Sequence, residues 1–151
     1  RGGGEEGGEG REKGRGAQCA NWDKNVWAKG DVEIAQATKK AKVVSLATGS
    51  EVEIASEGQA NREKGGTPTR VVSVPSCELF ERQSKAYKDK LLGTEKKSIA
   101  IEAGVAQGWN RFIGNDGIFI GMKTFGASGP AEALYKHFGI TAKAVVKVAR
   151  K

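Results

Sequence analysis

Residues 42–55 read KVVSLATGSEVEIA, and this stretch decides the fold. Val43, Val44, Leu46 and Ala47 make a short, almost continuous apolar run rich in β-branched residues. That is the pattern of a strand buried on both faces of a parallel sheet. Thr48-Gly49-Ser50 interrupts the run. Ser50 is a good N-cap, and Glu53, three positions later, completes a capping-box pattern. The spacing therefore predicts a helix from Glu51 to about Lys64, stopped at Gly65-Gly66. A buried strand, a glycine turn and a helix in this order are the first half of a β-α-β unit. The second half of the helix breaks the pattern. Val52 and Ala55 mark an apolar face, but Gln59, Arg62 and Glu63 stand where it should continue. Gly58 lowers its helix propensity further. Either this helix packs poorly or residues 56–64 are aberrant.

Downstream the alternation repeats. Arg70-Val-Val-Ser-Val is a second strand, ended by Pro75-Ser76. Ser76 or Cys77 then opens a helix to about Leu92, with Leu79, Phe80, Gln83, Tyr87 and Leu91 along one face and Gly93 at its end. Ser98-Ile-Ala-Ile-Glu is a third run, followed by Gly104 and a short helix around Trp109 to Ile113. Gly117 to Met122 is a fourth run. Ser128-Gly129-Pro130 starts another helix, with Pro near its first turn and Ala131, Leu134, Tyr135 and Phe138 as its stripe. A last helix follows Thr141. Short strands alternating with helices imply an α/β fold of three α/β/α layers, with a mainly parallel, mixed sheet of about five strands.

Upstream the signal fades. Eight of the first sixteen residues are Gly, and the segment carries no aliphatic side chain to offset the backbone entropy it would lose on folding. It reads as a flexible arm. Acidic residues interleave with its Arg residues, which argues against an RG-type nucleic-acid arm. Asn25 to Trp27 and Asp31 to Ala35 read as short strands, and the alternation in Asp31-Val-Glu-Ile suits a sheet edge. The domain reading is thus a Gly- and charge-rich arm and lead-in over 1–40 and an α/β unit over 41–151.

Bulk properties exclude several classes. The 151 residues carry a formal charge of +7, with Lys and Arg scattered among acidic residues rather than gathered in a basic tract. That reads as a soluble surface with a Lys excess. No apolar run approaches the roughly 20 residues of a membrane span, and the start is not a secretory signal. Cys19 and Cys77 match no metal spacing, and two thiols suit a reducing, cytoplasmic setting. The one histidine, His137, stands late in a helix with no nucleophile motif to serve. The chain begins without Met, as a fragment or a processed product would.

Two sets of residues invite a functional reading. Thr48, Gly49 and Ser50, between strand and helix, form a candidate anion site, where backbone N–H groups and the helix dipole could meet a phosphate. Helix capping is the competing reading, and Glu51 in the first turn would repel an anion. Glu102 ends a buried strand, a natural catalytic position in α/β folds. It also fits a structural or interface role. Trp109 and Phe112 fit either a packing corner or an interface, so Glu102, Trp109 and Phe112 are candidate interface residues. Cys77 at a helix start is a candidate for a lowered pKa. No complete active site emerges.

Several stretches resemble one family. Residues 47–55, ATGSEVEIA, look like the first strand-to-helix turn of the transketolase C-terminal domain, and 70–76, RVVSVPS, resemble its next strand and turn. Residues 99–109, IAIEAGVAQGW, are similar to its later strand and aromatic helix. The most distinctive are 121–134, GMKTFGASGPAEAL, and 138–141, FGIT. Order and spacing agree from about Val43 to the end. The resemblance implies a parent enzyme that moves a two-carbon ketol unit between sugar phosphates, using thiamine diphosphate and a divalent metal. It implies that those cofactors bind in two preceding domains at a dimer interface, and that this domain is structural. No catalytic, cofactor-binding or metal-binding residue carries over. The family's substrate-phosphate Arg lies in a motif absent here, since Arg1 is followed by glycines. The family's linker and first strand are not recognisable in 1–40, and 56–64 depart from its usual Ala- and Leu-bearing helix. The expected partners are the remaining transketolase domains and a second subunit. A free-standing interaction module and a small anion- or nucleotide-binding α/β protein are the alternatives.

Overall fold

The computed structural model describes residues 26–93 and 97–149. In chain order the elements are α1 (Val26–Lys29), β1 (Val32–Ala35), β2 (Val43–Ala47), α2 (Glu51–Lys64), β3 (Thr69–Ser73), α3 (Cys77–Glu81), α4 (Lys85–Leu92), β4 (Lys97–Ile101), α5 (Asn110–Ile113), β5 (Ile118–Ile120), α6 (Ala131–Phe138) and α7 (Ala142–Ala149). The five strands form one sheet in the order β1-β3-β2-β4-β5. Four run parallel, and β1 pairs antiparallel with β3 at the edge. The expected three-layer, mixed α/β fold is the fold observed.

β2 lies at the centre and is buried at all five positions. Its alternate side chains feed two cores, as the pleat requires. Val43 and Ala47 join Val71, Ile99, Ile101 and Ile120 under α2 and α7, which contribute Ala55 and Val145. Val44 and Leu46 join Val72, Val74, Ala100 and the rings of Phe80, Trp109 and Phe112 on the other face. The Val, Leu, Ile and Phe side chains among them each contribute about 1.5–3 kcal/mol when fully buried.

Three local expectations need correction. The first is the capping box. Ser50 has helical backbone angles and makes no side-chain cap. Its hydroxyl donates to Glu51 Oε1 at 2.9 Å instead. The second is the long helix from Ser76 or Cys77 to Leu92, which is two helices. Ser76 Oγ accepts from Leu79 N at the start of α3, and Ser84 Oγ accepts from Tyr87 N at the start of α4. A second N-cap ends one helix and begins another. The third concerns Val26 and Trp27, which belong to the helical turn α1 rather than a strand; Asn25 lies outside the described residues. β1 already occupies the edge of β3, and α1 lies against α3, with Gln83, just past the end of α3, donating from Nε2 to Ala28 O at 3.4 Å. The Gly-rich arm over 1–16 also lies outside the described residues.

The second half of α2 is packed, by unusual means. A Cβ at Gly58 would stand 2.6 Å from Val145 Cγ1, so α7 closes directly onto the helix backbone there. Arg62 is 2% exposed and donates from Nη2 to Val145 O at 2.6 Å. Glu63 accepts from Thr69 N at 2.8 Å, tying the end of α2 to β3.

Candidate functional site

The strand order places a topological switch at the carboxyl ends of β2 and β4. From β2 the chain moves through α2 to β3 on one side, while β4 lies on the other. Open α/β sheets bind ligands at such a point. Ala47 pairs with Ile101, so Thr48 and Glu102 emerge side by side at this edge. Both sets of candidate residues from the sequence are therefore at the same end of the sheet.

The Thr48–Ser50 turn is folded on itself. Gly49 takes φ +49°, in the left-handed region. The amides of Glu51, Val52 and Glu53 donate to the carbonyls of Thr48, Gly49 and Ser50, at 3.1, 3.3 and 3.3 Å. Glu51 is buried, and its Oε1 accepts from the hydroxyls of both Ser50 and Tyr135. Those two hydroxyl oxygens are 2.9 Å apart. Burial pushes the Tyr135 phenol up from its ordinary pKa. The Glu51 carboxylate adds to the rise, and the Ser50 bond offsets part of it. An anion entering this turn meets a buried carboxylate. What the arrangement does is fasten α6 to the start of α2.

Glu102, Trp109 and Phe112 are brought together on the opposite face. The Trp109 indole N–H donates to Glu102 Oε2, the partner that a buried indole requires. Trp109 and Phe112 are 3% and 7% exposed, so both rings lie inside the domain. Their centroids are 6.1 Å apart in an edge-on pair, and Phe80 and Phe119 complete the cluster. Gly121 allows β4 and β5 to close beneath it, since a Cβ there would stand 2.7 Å from Glu102 O.

The remaining candidates are not activated. Burial raises the Cys77 pKa, and the neighbouring carboxylates of Glu78, Glu102 and Glu81 raise it further, against a smaller opposing effect of Arg111. This is the reverse of the lowering that a helix start suggested. His137 is exposed on α6, with its ring edge-on to Phe138. Among the described residues, no group of three or more His, Cys, Asp or Glu is placed to hold a metal ion.

Sequence reasoning missed an apolar pocket of about 280 Å³ beneath α6, lined chiefly by Ala103, Met122, Ala131, Leu134, Tyr135 and Phe138. The α6 stripe was its legible part. Beside the pocket, Phe125 is 97% exposed, which no local pattern announces.

Comparison with known proteins places this arrangement. Residues 30–141 match the family model of the transketolase-like C-terminal domain. The chain is 44% identical over 128 residues to a transketolase of Rhodobacter capsulatus, covering 81% of this chain and 19% of that protein. It is 46% identical over 114 residues to transketolase 10 of Craterostigma plantagineum, covering 75% and 17%. The transketolase structure from Leishmania mexicana superposes with a TM-score of 0.75 at 35% identity, covering 83% of this chain and 18% of that one. The chain thus spans about a fifth of the length of the relatives it matches. It belongs to the transketolase family, within which it corresponds to the C-terminal domain.

Proposed function

We propose that this chain acts as the docking and dimer-supporting domain of a transketolase, and that it is inactive in ketol transfer by itself. The observation that carries the reading is the match of residues 30–141 to the C-terminal domain. The engaged polar groups at the switch point support it, because Ser50, Glu51, Tyr135, Glu102 and Trp109 are turned on one another. We take residues 41–151 as the α/β unit and 1–40 as its lead-in. The partners are the remaining transketolase domains and a second subunit.

The parent reaction is the transfer of a two-carbon ketol unit between sugar phosphates, for which thiamine diphosphate and a divalent metal supply the carbanion chemistry. The residues here do not fit those groups, since the described carboxylates, His137 and Cys77 form no ligand cluster. We assign their ligands to the other domains of the parent, and no step to a residue of this chain. No helix among the described residues is long and apolar enough to cross a membrane. We place the parent in the cytoplasm.

The test is an add-back assay. A relative's transketolase truncated before its C-terminal domain is mixed with this chain, and ketol transfer is measured with thiamine diphosphate and magnesium. Recovery of turnover in the mixture, with none from this chain alone, is expected. Turnover by the chain alone, or none from the mixture, sinks the reading.

A further inference from the structure

Arg62 is a buried cation with no counter-ion among the described residues. Its Nη2 donates to Val145 O at 2.6 Å, and its Nε and Nη1 have no partner. Interior charges are ordinarily paired. Beside it, Asn61 at the end of α2 and Lys143, Val146 and Lys147 of α7 line a groove of about 400 Å³, open to solvent. We propose that this groove is a phosphate site, which takes the phosphomonoester group of a small soluble molecule. Lys143 and Lys147 pair with the phosphate oxygens, the Asn61 side-chain amide donates to one of them, and Arg62 adds its field from behind the wall. The site stands whether or not the chain docks as described above.

Three observations carry it. The first is unopposed charge. Lys143 and Lys147 are exposed and one helical turn apart, a like-charge spacing that destabilises a helix. Among the described residues neither makes an ion pair or a side-chain hydrogen bond. α7 has no acidic residue, and Glu57, one turn before Asn61 on α2, does not line the groove. The second is the position of Arg62. The carbonyl it holds belongs to the peptide joining Val145 to Val146, a lining residue, and Asn61 is its own chain neighbour. Its charge lies in a poorly solvated seam, where water screens its field little. The third is the match of size and charge. Small-molecule sites run to about 300–1,000 Å³. Two lysines backed by an arginine suit a group of charge near −2, which a phosphomonoester carries and a carboxylate does not. The lining has no aromatic ring on which a nucleic-acid base could stack. The groove is also remote from the Thr48–Ser50 turn. Lys97, first in β4, donates to Val148 O, and Thr69, first in β3, donates to Glu63, so α7 and α2 both end at the amino edge of the sheet.

The experiment titrates glycerol 3-phosphate into the isotope-labelled 151-residue chain at constant ionic strength and reads its amide resonances. Saturable shifts at Asn61, Lys143, Val146 and Lys147 are expected, with none from glycerol and weaker binding of acetate. Lys143→Ala and Lys147→Ala should each weaken binding about tenfold, the scale of a hydrogen bond to a charged group. Arg62→Met should weaken it by a smaller factor, through the lost field alone. Lys136→Ala removes the same charge from an exposed position on α6 and should change nothing. Shifts that never saturate, or that Lys136→Ala reduces as much as Lys147→Ala, mean an adventitious ion only and overturn the proposal. Vesicles containing phosphatidic acid and duplex DNA are the other two arms. Binding to either of them without binding of glycerol 3-phosphate also overturns it.

Discussion

Helices α2 and α6 invert the usual relation between pattern and burial. α2 has almost no apolar face in its second half, yet Ala55, Gly58 and Arg62 are buried along it. α6 has a clear stripe in Ala131, Leu134, Tyr135 and Phe138, yet none of its residues is buried. The difference lies in what each helix meets. α2 meets α7, which approaches so closely that a glycine and a backbone-bonded arginine fill the contact. α6 covers a pocket open to solvent, and its stripe has no full cover among the described residues. Apolar periodicity reports that a face wants cover. It does not report whether the cover is in the same chain.

The sharpest way to break the comparison is at Gly58. In an ordinary exposed helix, Gly→Ala gains about 1 kcal/mol. Here the new Cβ meets Val145, whose β-branched side chain has little rotamer freedom to yield. Gly58→Leu should cost about 3 kcal/mol by overpacking, read as a shift in the urea midpoint. Gly58→Ala should also lose stability, and Val145→Ala in the same chain should recover part of that loss. A stabilised Gly58→Ala single variant would show that the helices are not in close contact.

Arg62 sharpens the same side. Burial lowers its pKa to about 10, below the ordinary guanidinium value, and its Nε and Nη1 have no partner. A base with a lowered folded pKa binds its proton more weakly in the folded than in the unfolded chain. Its charge therefore costs stability at every pH below about 10, and the penalty fades as the pH rises from there toward the unfolded value. Its stem, however, fills space. Arg62→Ala should lose about 2 kcal/mol through the void. Arg62→Met, which keeps the volume without the charge, should be unchanged or about 1–2 kcal/mol more stable. Equal losses in both would mean that the charge itself holds the two helices.

On the other side, Leu134→Ala should cost only about 1 kcal/mol, because its side chain is only partly buried. A loss of 3 kcal/mol or more in denaturant unfolding would place Leu134 in a completed core and remove the contrast.

The sheet was legible because its evidence is local. Val43 to Ala47, Arg70 to Val74, Ser98 to Ile101 and Ile118 to Ile120 each announce a buried strand within a few residues. What failed was non-local. The Ser50 cap gave way because Tyr135, 85 positions away, brings a second hydroxyl to Glu51. The break between α3 and α4 had a local sign in Ser84, but the i, i+4 series through Gln83, Tyr87 and Leu91 ran across it. The burial of Arg62 depends on the Val145 carbonyl, and nothing in the α2 sequence names that partner. At the switch point, Thr48–Ser50 and Glu102 were legible as positions. The Glu51–Tyr135 contact and the pocket were not, because both need α6 in place.

The smallest effect tests how the end of α2 is held. Glu63 accepts from Thr69 N, from Thr38 N at 3.3 Å and from the Thr38 hydroxyl. These donors favour its charged form, the Thr38 side chain most, and together they lower its pKa below the ordinary carboxylate value although burial opposes them. An acid with a lowered folded pKa stabilises the fold above its unfolded pKa, and the contribution is lost as the pH falls through the folded value. Glu63→Gln should therefore reduce stability slightly at pH 7, with the difference from the parent chain shrinking as the pH drops below about 4. The measurement is the urea midpoint of both chains across pH 3–7. A difference constant with pH would assign the effect to lost geometry rather than to the carboxylate charge, and α2 would then be held at this end by shape alone.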